Sequence, residues 1–339
     1  VNRRLLGLVL GLAALFLGLG APVAASASSG SQPDAVALLE RALRAQDTQA
    51  YSGVQQVWAR GGSMRTVGVS HQPGSGTLLN VEDAADGGQA AGFVTGTEQP
   101  AISPATILRL LASSYRLAVT GTEPVAGRTA VVIGATDDEG RPMARFWVDA
   151  ATGLLLRREL FDASGQLQRS SGFEQVSMTA DRVQHLPPML PTAHGPGLQQ
   201  VDLAAWCRRG WTCLDSIGRL QLVDARPVKD AGSTTLHLTY SDGLNAVSVF
   251  EEQGRLPTQP LAGSAAAVVA GRPVQVFAGS PERVVWSGAG QVFTVVTDAP
   301  SEVVDAVVAA LPHSAPADTL WRRLHRGGAR LASWLNPFG

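Results

Sequence analysis

The sequence has no basic excess: its 339 residues carry 27 lysines and arginines against 28 acids, a formal net charge of -1. Proteins that grip nucleic-acid phosphates normally carry a surplus of positive charge, so that class of partner is not expected. Lysine is nearly missing, Lys229 being the single one, and this arginine bias carries no mechanism. Histidines 71, 185, 194, 237, 313 and 325 include no pair three or four residues apart, the spacing that puts two imidazoles on one helical face for zinc. The strained Gly-x-Ser-x-Gly elbow of serine hydrolases is absent, and so are the phosphate-cradling loops of Walker or dinucleotide type. Asp137, Asp138 and Glu139 read as a solvated turn beside Gly140. No catalytic, metal-ligating or cofactor-binding residue is assigned, and the chain is expected to work by binding rather than as an enzyme.

No apolar run reaches the roughly 20 residues of a spanning helix, but a shorter one stands at the start. Arg3 and Arg4 precede the run from Leu5 to Leu19, and small residues follow to Ala25-Ser26-Ala27. This order is that of a secretory signal peptide over residues 1–27, cut after Ala27. An uncleaved anchor is the alternative, because residues 21–27 could extend the apolar stretch. Export would place the protein in the periplasm or on the outer face of the cytoplasmic membrane. There Cys207 and Cys213, the two cysteines present, are a candidate disulfide. The rival is a metal site, for which no neighbouring histidine completes a shell.

The 45% hydrophobic content is ample for buried cores, and length suggests two domains. Asp34 is placed to cap a helix with Ala35, Leu38, Leu39 and Ala42 on its apolar face. Two β runs, residues 54–60 and 64–71, join through Gly61-Gly62-Ser63. Ser103 and Pro104 announce a second helix with Ile107, Leu108 and Leu111 inward. Between Tyr115 and Val176, turn clusters at residues 121–127, 137–140, 149–153 and 162–165 separate five apolar runs, which predicts an antiparallel meander covered by the two helices. These elements form a first domain over 34–182.

Prolines and glycines over 183–200 mark a linker. A smaller α+β domain over 201–312 is expected from β runs at 220–224, 234–240, 246–250, 274–278, 283–286 and 292–296. Hairpins are expected at Asp242-Gly243 and at residues 288–290, with a closing helix from Pro300 to Leu311. The tail, 313–339, reads as a basic amphipathic helix. Leu320, Leu324, Leu331, Trp334 and Leu335 share one arc, with Arg322, Arg323, Arg326 and Arg330 mostly elsewhere, and these arginines and Trp334 are the candidates for contact with an anionic membrane surface. The same stripe could instead dock on the second domain.

Particular stretches resemble the RseB/MucB family of sigma-factor regulators: Gly127-Arg128 with Arg145-Phe146-Trp147-Val148-Asp149, the run from Thr152 to Asp162, and Gly165. The resemblance extends to Ala50-Tyr51-Ser52-Gly53, to Met64-Arg65-Thr66, to Tyr240-Ser241-Asp242-Gly243-Leu244, and to Ser248-Val249-Phe250-Glu251. The arginine-rich composition with a basic tail suggests an actinobacterial-type member. The resemblance implies an α+β architecture: a LolA/LolB-like unclosed antiparallel β-barrel covered by helices, followed by a smaller α+β domain. It also implies a non-catalytic extracytoplasmic regulator that binds the outer segment of a transmembrane anti-sigma factor and senses lipid or acylated ligands in an apolar groove. Groove candidates are Val57, Phe93, Leu111, Phe146, Leu154, Leu156 and Phe161, and partner-contact candidates are Tyr240, Asp242, Phe250 and Trp286. Each of these also reads as core. The competing function is a periplasmic lipid or lipoprotein carrier of LolA/LolB type.

Overall fold

The structure is a computed structural model that describes residues 31–82, 93–95, 103–179, 202–230, 233–279 and 281–313. The expected signal segment 1–27, the expected linker 183–200, and the tail residues Arg322, Arg323, Arg326, Arg330 and Trp334 lie outside the described residues.

Helix α1 (Gln32–Thr48) begins at Ser31, three residues earlier than expected. Asp34 is not the cap but its partner in the first turn: its carboxylate accepts from the Ser31 N–H at 3.1 Å and Oγ–H at 2.7 Å. Ala35, Leu39, Ala42 and Ala45 are the buried stripe. Helix α2 (Pro104–Ser114) is capped as expected, with the Ser103 hydroxyl accepting from the Thr106 N–H. Its inward face is Leu108, Leu110 and Leu111 rather than one that includes Ile107, which is half-buried.

The first sheet has nine strands: β1 (Tyr51–Ala59), β2 (Arg65–Gln72), β3 (Gly76–Glu82), β4 (Phe93–Thr95), β5 (Arg116–Val125), β6 (Arg128–Thr136), β7 (Pro142–Asp149), β8 (Leu155–Phe161) and β9 (Leu167–Ser177). Their order, β4-β3-β2-β1-β9-β8-β7-β6-β5, is antiparallel throughout, and the outer strands β4 and β5 do not pair. It is therefore an unclosed antiparallel barrel in the α+β class, with α1 packed on β5, β7 and β8 and α2 on α1 and β5. Gly121, expected to open a turn, is a bulge inside β5, and the turn proper is Ala126-Gly127. One face of the sheet gives Ile133, Ala135, Phe146 and Val148 to a core under the helices. The opposite face gives Val132, Trp147, Leu156 and Phe173 to a second cluster with Tyr51 and Val69.

After the short helix α3 (Leu203–Arg208), eight more strands form the second sheet: β10 (Ser216–Ile217), β11 (Leu220–Asp230), β12 (Ser233–Ser241), β13 (Ala246–Gln253), β14 (Ala265–Val269), β15 (Arg272–Phe277), β16 (Glu282–Gly288) and β17 (Gln291–Thr297). The order is β10-β11-β12-β13-β17-β16-β15-β14. Strict alternation turns Leu236, Leu238, Val247, Val249, Phe293 and Val295 to one face. Helix α4 (Ser301–Ala310), preceded by Pro300, adds Val304, Val307 and Val308 to that core.

Candidate functional site

The two sheets meet through the tip of the β12–β13 hairpin, residues 242–245. A tip is normally solvated, yet Asp242 is 3% and Leu244 5% exposed. Leu244 completes the apolar cluster beneath α1 and α2, beside Leu111, Phe146 and Leu160. Gly243 makes the approach feasible: at φ +90° a side chain is strained, and a Cβ there would lie 2.4 Å from the Leu111 backbone nitrogen.

Asp242 organises the tip. One carboxylate oxygen accepts from the Leu244 and Asn245 N–H groups at 2.8 and 2.7 Å, and the other accepts from the Tyr115 hydroxyl at 2.7 Å and the Asn245 amide at 3.2 Å. Burial, then the charge and hydrogen bond of Asp242, push the Tyr115 phenol far above its ordinary range, so it remains a donor. Arg158 adds a bond from Nη2 to the Leu244 carbonyl at 3.1 Å. Around the tip, Arg219 pairs with Asp138 at 3.2 Å, Arg169 pairs with Asp298, and the Ala163 N–H donates to Glu302 at 3.0 Å.

Three clefts open on this part of the molecule. One of about 310 Å³ is polar and runs along the seam between Arg60, Asp162, Gln168 and Glu302. A second, of about 320 Å³, shares Ala59, Arg169 and Asp298 with it and extends to Val57, Trp58 and Leu160. The third, of about 660 Å³, is largely apolar and lies between α1 and α2, where Val36, Leu43, Leu108 and Ala112 line it.

The groove candidates are not brought together. Leu111 and Phe146 sit in the core under the helices, while Leu154 and Leu156 sit in the cluster on the opposite face. Phe161 is half-buried under the Arg145 guanidinium, Val57 borders the second cleft, and Phe93 lies in β4. Of the partner candidates, Tyr240 is fully buried, its hydroxyl donating to the Leu214 carbonyl at 2.9 Å. Trp286 is buried and donates to the Pro312 carbonyl at 2.8 Å, and Asp242 is the seam anchor described above. Phe250, half-buried and stacked on His237 at 4.3 Å, is the one of the four that reaches the outer face of its sheet.

Cys207 and Cys213 are disulfide-bonded, their Cα atoms 5.7 Å apart. Their loop docks on the second sheet through an acid that the sequence reading passed over. The period of two that buries Val247 and Val249 carries Glu251 inward too, where it accepts from the Thr212 N–H at 2.9 Å while its other oxygen has no partner. Burial pushes the Glu251 carboxyl up to about 7, against the opposing hydrogen bond from Thr212. The expected solvated turn at residues 137–139 is also corrected in part. Asp138 and Glu139 are exposed, but Asp137 is fully buried, accepting from the Glu139 and Arg141 N–H groups and from the Arg141 guanidinium. Among the described residues no group of three or more histidines, cysteines and acids is placed to hold a metal ion.

Residues 96–192, a span that includes α2 and β5 to β9, match the MucB/RseB N-terminal domain. The chain is 30% identical over 217 residues to the sigma factor AlgU regulatory protein MucB of Pseudomonas aeruginosa, a match covering 61% of this chain and 63% of that relative's length. It superposes on the crystal structure of MucB in complex with MucA(peri) with a TM-score of 0.52 at 23% identity, over 83% of this chain and all of the other. The Pseudomonas aeruginosa MucA/MucB complex gives the same TM-score and coverage at 22% identity. At these identities the structural likeness establishes the shared fold.

Proposed function

From its likeness to the MucB/RseB N-terminal domain over residues 96–192 and to MucB over 217 residues, we propose that the chain is a member of the MucB/RseB family and an exported, non-catalytic regulator that binds the extracytoplasmic segment of a transmembrane anti-sigma factor. The observation that carries this reading is the interlock at the seam, where Leu244 of the second sheet is part of the first sheet's core. A regulator needs two sites that feel each other. An apolar ligand entering the layer beneath α2 displaces Leu111 or Leu244, and so acts on the hairpin that crosses into the second sheet. If the partner is held there, the ligand weakens its grip by its differential affinity for the two arrangements, and the partner weakens the ligand's by the same factor. No bond is made or broken.

The test is to mix the purified full chain with the outer segment of a single-span anti-sigma factor and follow binding by calorimetry. A one-to-one complex is expected. A chain that shows no binding but carries stoichiometric lipid in native mass spectrometry would replace the regulator with the carrier.

A further inference from the structure

The second cleft of the seam brings together two arginines, each of which also makes one contact across the seam. Arg158 and Arg169 both line it, with Ser170, Ser171 and Asp298 as its other polar residues and Val57, Trp58 and Leu160 among its apolar ones. Arg169 is satisfied by Asp298. Arg158 has no carboxylate within ion-pair distance among the described residues. Among the described residues its single hydrogen bond runs to the Leu244 carbonyl, its guanidinium lies 6.0 Å from the centre of the Phe146 ring, and its Nε is shut off from solvent with no hydrogen-bond partner. Asp242, whose charge acts on it, has already committed its oxygens to Tyr115, Leu244 and Asn245. The cleft thus holds two guanidinium charges against one carboxylate. Burial, reinforced by the charge of Arg169 and opposed by that of Asp242, lowers the Arg158 guanidinium to about 10. A half-buried arginine with an unmet donor is costly unless something supplies the acceptor.

We propose that this cleft binds a small organic anion, a carboxylate or phosphate monoester bearing a short apolar group. The anionic head sits between Arg158 and Arg169, within reach of the serine hydroxyls, and the apolar part lies against Val57, Trp58 and Leu160. A single negative charge cancels the surplus inside the cleft. The volume, about 320 Å³, stands at the small end for ligand pockets and suits a compact molecule rather than a whole lipid. Because the wall belongs to the first sheet except for Asp298, which follows β17, an occupant would bear on the seam from outside the apolar layer. The inference does not depend on what the second sheet binds.

The probe is phenyl phosphate, titrated into the full chain by calorimetry, with inorganic phosphate and phenol as the two halves of the molecule. Phenyl phosphate is expected to bind one-to-one and more tightly than either half. Arg158→Gln and Arg169→Gln should each weaken it about tenfold or more, the worth of a charge-assisted hydrogen bond. Arg44→Gln, beside the cleft between the helices, should leave it unchanged. Trp58→Phe guards against misfolded arginine variants, since it should keep binding while removing the ligand-induced fluorescence change. The proposal is overturned if the wild-type chain shows no binding at millimolar phenyl phosphate, if Arg158→Gln binds as well as wild type, or if the fluorescence change survives Trp58→Phe. It is equally overturned if phenol or inorganic phosphate alone binds as tightly as phenyl phosphate.

Discussion

The smaller domain keeps its core to itself, since every apolar residue of its cluster lies between Leu203 and Leu311, whereas the larger domain's core under α1 and α2 includes Leu244, supplied by the smaller. Their buried charges differ in the same direction. In the first sheet Asp137, Asp149 and Asp162 close three successive turns of the meander, each accepting at least one backbone N–H and pairing with an arginine: Arg141, Arg128 and Arg60. Burial works to raise these carboxyls, and the hydrogen bonds and arginines outweigh it, so all three stay below the usual range. Glu251 in the second core has a single hydrogen bond, no cation, and a raised pKa. The first domain is therefore stapled at its turns but incomplete in its core, and the second is complete in its core but carries, in Glu251, a buried acid with no ion pair among the described residues. The first core thus depends on a residue supplied by the second domain, and the second core on none from the first.

The largest effect should come from wedging the tip apart. Gly243→Ala places a Cβ against the Leu111 backbone at a positive φ, and should cost about 4 kcal/mol by adding backbone strain to overpacking. Urea unfolding would show a lowered midpoint. Retention of the wild-type midpoint would break the claim that the tip is tightly seated.

Somewhat smaller is Leu244→Ala, which opens a cavity worth about 3 kcal/mol. By hydrogen exchange the loss should appear as faster exchange in α2 and β5, roughly a hundredfold, with β16 and β17 unaffected. Equal loosening of both sheets would contradict the placement of Leu244 in the first core alone.

Smallest is Glu251→Gln, which sharpens the comparison through pH. The folded-state value, about 7, lies above the 4.5 of the free side chain, so between these the folded chain holds a proton that the unfolded chain releases. Stability contributed by this proton is present below about 4.5 and lost as pH rises through 7. The glutamine should therefore stabilise by about 2 kcal/mol at pH 8 and have little effect at pH 4. Thermal melts across that range would show the difference narrowing as pH falls, and a difference independent of pH would refute the assignment.

Much of this fold was legible in the sequence because its signals are local. Turn residues 137–140, 149–153 and 162–165 separate strands where expected, and Ser103-Pro104 starts α2. Elements with weak local signals were missed. Strand β14 is Ala265-Ala-Ala-Val-Val, poor in β-favouring residues and largely exposed, and it exists through pairing with β15. Strand β10 has two residues and α3 six, too short for any period to show. The site was less legible. Alternation alone would have sent Tyr240 inward with Leu236 and Leu238, and would have flagged Glu251. Nothing local connects Asp242 with Tyr115, 127 positions away, although a leucine in a tight hairpin turn is itself a sign that the tip is covered. Arg158 and Arg169 stand on neighbouring strands, and their shared cleft depends on how the second sheet docks.

Hydrogen exchange in α2 reads directly whether the seam transmits binding. With the full chain saturated by the outer segment of the proposed anti-sigma partner, protection should change in the second sheet and also in α2, around Leu108 to Leu111, where the tip is seated. Protection confined to the second sheet, with α2 exchanging as in the free chain, would contradict the coupling.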